Sequence, residues 1–151
     1  MKKIFAIVLM AAAMISTSCL EFSKTDAVYE ISVGTTSYSV SGMPGGEAYQ
    51  AADDLRAQVR AFSDRYCRQW VVTYSGGTSF AREESAAVED YEVALREFEK
   101  IHDSFVAKYG STKTADGTAL ECTYKLYLKR HDPDKGDDTV RQSDEFLFEV
   151  E

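Results

Sequence analysis

The longest regular pattern in this chain is an apolar stripe running from Ala81 to Tyr109. Val88, Tyr91, Leu95, Phe98, His102, Phe105 and Tyr109 recur at spacings of three and four, and Ala94 and Ile101 widen the band. This predicts one amphipathic α-helix, about 43 Å long at about 1.5 Å per residue. Thr78 or Ser79 is placed to cap its start, Glu83 and Glu84 put negative charge in its first turn, and Gly110 supplies the residue after its end. A helix of this length exceeds a typical strand and is expected to overhang the sheet it covers.

A second stripe, Ala48, Ala52, Leu55, Val59, Phe62 and Tyr66, predicts a shorter helix after the breaker Gly42-Met43-Pro44-Gly45-Gly46. The remaining apolar segments alternate with a period of two. Tyr29, Ile31 and Val33 share one parity, and Tyr38 and Val40 take the other after Gly34-Thr35-Thr36. A parity switch at a glycine marks a hairpin or a bulged single strand, and the reading favours the hairpin. Trp70, Val72 and Tyr74 alternate with Val71 and Thr73, so both faces are apolar and a central strand is expected. Leu120, Cys122, Tyr124, Leu126 and Leu128 form a half-buried strand; Val140, Phe146, Phe148 and Val150 share one parity of the last segment. The polar stretch from His131 to Asp138 joins these two as a hairpin loop. The order β(β)-α-β-α-β-β predicts an α+β two-layer sandwich, with an antiparallel or mixed sheet of four to five strands and two amphipathic helices.

Ahead of this domain stands a different kind of segment. Met1-Lys2-Lys3 is positive, Ile4 to Ile15 is an unbroken apolar or small run, and Ser16-Thr17-Ser18-Cys19 offers small residues for cleavage. These are the three parts of a secretory signal, and the run is short of the roughly 20 residues that span a bilayer. Cys19 at this distance from Lys3, with Ser18 before it, resembles the lipobox of bacterial lipoproteins, although Ser16 stands where that family usually carries Leu. The resemblance covers only the first 20 or so residues. It implies cleavage before Cys19, lipidation of that cysteine, and attachment to the inner or outer membrane of a bacterial cell envelope. Cleavage after Ser18 by the ordinary signal peptidase would instead leave a periplasmic or secreted protein with a free thiol. Residues 1–18 are then signal peptide, 19–26 a tether, and 27–151 a single α+β domain.

Cleavage there leaves 133 of the 151 residues and removes two lysines and no acids, taking the formal net charge from −8 to −10. So acidic a chain is not built to neutralise phosphates, which excludes nucleic acid as the expected partner, and the same charge argues against electrostatic adhesion to anionic lipid. Membrane contact is expected through the lipid anchor alone.

Few residues offer chemistry. His102 lies on the long apolar stripe, where a structural histidine is the ordinary case, and it has no second ligand at a metal-binding spacing. His131 heads the acidic loop Asp132-Pro133-Asp134-Lys135-Gly136-Asp137-Asp138 and reads as a solvated turn residue. That loop has Lys135 and Gln142 where an EF-hand needs ligands, so no calcium site is expected. Ser75-Gly76-Gly77-Thr78-Ser79 lacks the lysine and spacing of a phosphate loop. Glu83, Glu84, Glu89, Asp90, Glu92, Glu97 and Glu99 interleave with Arg82, Arg96 and Lys100, as on a solvated helix face. No metal or cofactor is implied. With Cys19 lipidated, Cys67 and Cys122 are the remaining thiols and a candidate disulfide in an oxidising compartment. Two functions follow as expectations: a non-catalytic envelope module that binds a protein or glycan or serves a structural role, and a small envelope hydrolase using carboxylates and His102.

Overall fold

The structure, a computed structural model, describes residues 24–75, 80–110, 113–132 and 137–151; the side chains at 24–26, 72–75, 80–83, 132 and 137 lie outside that description. Its elements run β1 (Lys24–Ser41), α1 (Glu47–Tyr66), β2 (Arg68–Ser75), α2 (Phe80–Tyr109), β3 (Ala119–Asp132) and β4 (Asp137–Val150). The four strands form one antiparallel sheet in the order β2-β1-β3-β4. This is the α+β architecture that the alternation of periods predicts.

Segment lengths explain the topology. Strand β1 has 18 residues, and β2 pairs only with its first part, from Lys24↔Ser75 to Ile31↔Arg68. Helix α1, with 20 residues, rises about 30 Å. That matches the roughly 33 Å of β1 between Ser41 and Ile31. The chain therefore turns at the end of β1, runs back along its second part as a helix, and continues along its first part as a strand. Helix α2, at about 45 Å, matches the roughly 46 Å of the 14-residue strands β3 and β4. The expected overhang does not arise, because these strands are much longer than typical ones. Glu84 near the start of α2 pairs with Arg141 of β4, and Phe105 near its end packs on Phe148.

Both helices lie on one face of the sheet. Tyr29 and Ile31 of β1, Leu120 to Leu128 of β3 at alternate positions, and Phe148 and Val150 of β4 meet Leu55, Val59 and Phe62 of α1 and Tyr91, Phe98 and Phe105 of α2 in one core. Phe98, fully buried, sits near its centre. Its ring stands edge-on to Phe62 at 5.0 Å and to Phe148 at 6.2 Å, and tilts against Phe146 at 4.9 Å. Such pairs add about 0.5–1.5 kcal/mol each beyond the area they bury.

Two β-bulges reconcile the sequence with this core. The register of β1 on β3 shifts between Thr35 and Ser37, leaving Thr36 as the extra residue. The parity switch is thus a bulge in one strand, and the hairpin reading is corrected: Ile31 and Val33 before it, and Tyr38 and Val40 after it, all turn to the helices. A second shift, opposite Leu128 and Lys129, takes up Arg141 and turns Val140 outward, where it is 51% exposed despite its sequence parity with Phe146. The expected central position of the Trp70 strand is also corrected. β2 is an edge strand whose Trp70 stacks on Tyr29 at 6.0 Å on the helix side, while Val71 on the other side is 38% exposed. The tether reading overlaps β1 by three residues, since Lys24, Thr25 and Asp26 pair with Ser75, Tyr74 and Thr73.

Helix α1 is capped from a distance. Gly46 offers no side chain, and the amides of Glu47 and Ala48 donate instead to Asp116 Oδ2 at 2.8 Å and Thr118 Oγ1 at 3.0 Å, from the segment before β3. Those two bonds satisfy donors that every helix start leaves unpaired. Donation by the Thr118 hydroxyl and by the Glu47 amide holds the Asp116 carboxyl below its ordinary range. The approach requires small residues: a Cβ at Gly46 would lie 2.5 Å from Thr118 Cγ2 and 2.7 Å from Asp116 Oδ2.

Candidate functional site

The same topology leaves part of the sheet without a neighbour. Beyond Ile31, the side of β1 that carries β2 has no paired strand among the described residues, from Ser32 to Ser41. This stretch, Ser-Val-Gly-Thr-Thr-Ser-Tyr-Ser-Val-Ser, holds no charge and no proline. Edge strands are commonly blunted by such residues, or by bulges, because their unpaired amides and carbonyls accept further strands. Here the bulge at Thr36 is the blunting device, and Thr36 Oγ1 reaches Thr123 O at 3.4 Å.

One flank of α1 forms the wall beside this edge. Tyr49, Asp53, Arg56, Arg60, Ser63 and Cys67 follow one another at helical spacing, and four of them are located by contact. Tyr49 donates to Gly42 O at 3.3 Å, Arg56 donates to Tyr38 Oη at 3.0 Å with its guanidinium 5.3 Å from the ring centre, and Ser63 and Cys67 line a hollow at the other end. That hollow, about 300 Å³, opens at the start of β2, and Glu30, Ser32, Val33 and Arg68 complete its walls. Burial pushes the Cys67 thiol above its ordinary value, against hydrogen bonds with Ser63 and the Val33 backbone. Gln69, also on the hollow, donates Nε2 to Glu30 at 2.7 Å, and its Oε1 is buried without a hydrogen-bond partner among the described residues. A hollow of about 310 Å³ between α1 and α2, floored by Phe62, Tyr66 and Ile101, is edged by the Glu97–Lys100 ion pair.

Of the residues singled out in the sequence, Cys67 lines this hollow, and the others that the structure describes lie elsewhere. His102 Nε2 meets Leu147 O at 2.8 Å, and its ring packs on Phe146 and Phe148, so it fastens α2 to the outer edge of β4. Of the α2 acids, Glu84 pairs with Arg141, Asp90 with Arg68 and Glu97 with Lys100. Cys67 and Cys122 are free thiols rather than a bridge. Arg68, beside Cys67, pairs with Ile31, whereas Cys122 pairs with Tyr38, on the other side of β1 and seven positions along it. At about 3.3 Å per step that separation is roughly 20 Å, against the limit of about 7 Å for bridged Cα atoms. His131 is corrected most. It is no turn residue but part of β3, 9% exposed, lying on the helix-free face between Glu30 and Asp138. Cys19, the Gly76–Ser79 segment and residues 133–136 of the acidic loop are outside the described residues.

Among the described residues, no group of three or more His, Cys, Asp and Glu side chains is arranged to hold a metal ion, and no helix is long and apolar enough to cross a membrane. No protein-family model, curated protein or solved structure matches this chain.

Proposed function

We propose that this chain is exported, lipidated at Cys19 and held at a bacterial envelope membrane, where it acts as a non-catalytic binding module for an extended, acidic polypeptide segment laid along β1 from Ser32 to Ser41. The open edge carries this reading. β2 already occupies the same side of β1 up to Ile31, and an incoming strand would continue the line of β2, with the bulge at Thr36 as the irregularity it must accommodate. On the α1 flank Arg56 is paired with Asp53 at 3.5 Å, and Arg60 leaves the flank net positive beside an uncharged strand, which favours acidic side chains at alternate positions of the ligand. The hollow at Cys67 and Gln69 offers room for one side chain at the end of the lane.

The anchor constrains the arrangement. β1 begins five residues after Cys19, so the linkage to the membrane extends at most about 17 Å. Several acyl chains, at about 0.8 kcal/mol per buried CH₂, would hold the protein firmly. Intact mass of the native protein tests this part: a mature chain beginning at Cys19 and carrying acyl mass is expected, and any other start or an unmodified cysteine overturns it.

The lane is tested with an eight-residue peptide alternating glutamate and valine, and with its lysine counterpart. Amide NMR of the full chain should show shifts and added exchange protection within Ser32–Ser41 for the acidic peptide only. Arg56→Glu with Arg60→Glu should reverse the preference. Shifts confined to the helix seam or to the helix-free sheet face, or no response to either peptide, would sink the reading.

A further inference from the structure

The helix-free face carries a polar chain across all four strands, whose Gln69 and Glu30 also line the hollow at the end of the lane. Gln69 of β2 donates to Glu30 of β1 at 2.7 Å. The same Glu30 oxygen meets His131 Nε2 of β3 at 2.9 Å, and His131 Nδ1 meets Asp138 Oδ1 of β4. The His131 and Glu30 side chains are 11% and 14% exposed, while Asp138 is 65% exposed. A neutral imidazole has one N–H and one lone pair, so it can donate to only one of two carboxylates and must turn its lone pair on the other. An imidazolium donates to both.

We infer that His131 is a proton-operated clasp, which as imidazolium fastens β1 and β4 to β3 at this end of the sheet and on losing its proton releases one of them. Among the described side chains, the other charge beside it is that of Lys129, two residues back on the same face of β3, which pairs with Glu30 across the strands and sets its ammonium 4.8 Å from the Tyr127 ring centre. β2 adds the uncharged Gln69; the side chains of Asp26, on the same face of β1 two residues before the Val28 that pairs with His131, and of Asp132 and Asp137 lie outside the described residues. Asp138 is the exposed partner and Glu30 the enclosed one, so the β4 contact is the one that yields. Burial by itself would lower the imidazolium's pKa, but the hydrogen bonds to Asp138 and Glu30 outweigh it and hold the group above its ordinary value. The folded-state value being raised, the stabilisation is complete below the unfolded value of about 6.5 and is lost as the pH rises through the folded one.

Proton-detected ¹⁵N NMR of the His131 ring in the full chain tests this. Both ring nitrogens should be protonated at pH 6, with a titration midpoint above about 6.5. Glu30→Gln and Asp138→Asn should each lower that midpoint. Over the same range, hydrogen-exchange protection of the Asp138–Val140 amides, corrected for intrinsic rates, should fall about tenfold if the midpoint lies one pH unit above the ordinary value. In His131→Asn that dependence should be flat. A midpoint at or below 6.5, a single protonated nitrogen at pH 6, or an unchanged profile in His131→Asn would each overturn the clasp. If His131→Asn fails to fold, the wild-type ring titration alone decides.

Discussion

Gly46 illustrates how one hydrogen atom in place of a methyl group settles a local structure. Its φ of −71° suits any residue, so the demand for glycine here is spatial rather than conformational. Gly42, by contrast, has φ of +97° and also faces Thr118, so both constraints fall on it. Gly46→Ala should therefore lower stability by about 1–3 kcal/mol through overpacking against Thr118 and Asp116. Thr118→Ser, which removes the obstructing Cγ2 and keeps the capping hydroxyl, should restore part of that loss in the double variant. Urea denaturation of the four chains checks both statements; equal midpoints for wild type and Gly46→Ala would mean that the clasp between the glycine turn and Thr118 is looser than described. The glycine cluster is legible in the sequence as a breaker. Its partner is not, because Thr118 lies some 70 residues away and resembles any threonine in a loop.

Strand β1 poses the corresponding problem for an element. Its parity changes at Gly34-Thr35-Thr36, and the same residues could make a turn or a bulge. The local sequence cannot separate the two, since both need one residue out of step. Tertiary pairing does, because β3 supplies partners on both sides of the irregularity in one continuous ladder. A chain lacking Thr36 would keep Thr35 and Tyr38 on the helix face and Ser37 on the other, so every side chain retains its side of the sheet. Deletion of Thr36 is thus expected to leave the circular dichroism unchanged while straightening the open edge. Light scattering should then show more self-association than in the wild type, because the blunting device has been removed. Loss of fold, or no change in association, would contradict this account of the bulge.

At the scale of the whole molecule, the long register separates the two remaining cysteines. Their placement on one apolar or boundary position each made a bridge conceivable, but β1 stands between them and they lie at different levels along it. In a Cys19→Ala chain, denatured without reductant, two thiols are expected to react; a count of zero would require the sheet to be rearranged. In the folded chain Cys67, half-buried, should react before Cys122, which is 1% exposed.

Periodicity needs no knowledge of distant residues, and it was enough to specify two amphipathic helices, the alternating strands and hence the α+β class. Composition likewise specified an acidic chain and supplied the expectation that nucleic acid is not its partner, and the arrangement of Lys3, the apolar run and Cys19 supplied the expectation of export. Strand order, the edge position of β2 and the open stretch of β1 came only from the assembled fold, because they depend on which lengths match in space: 20 helical residues over ten strand steps, and 30 over strands of 14 residues. His131 shows the same division. Its sequence neighbours are polar, as at a turn, and it became an enclosed group between two carboxylates only when β1 and β4 were brought to either side of it.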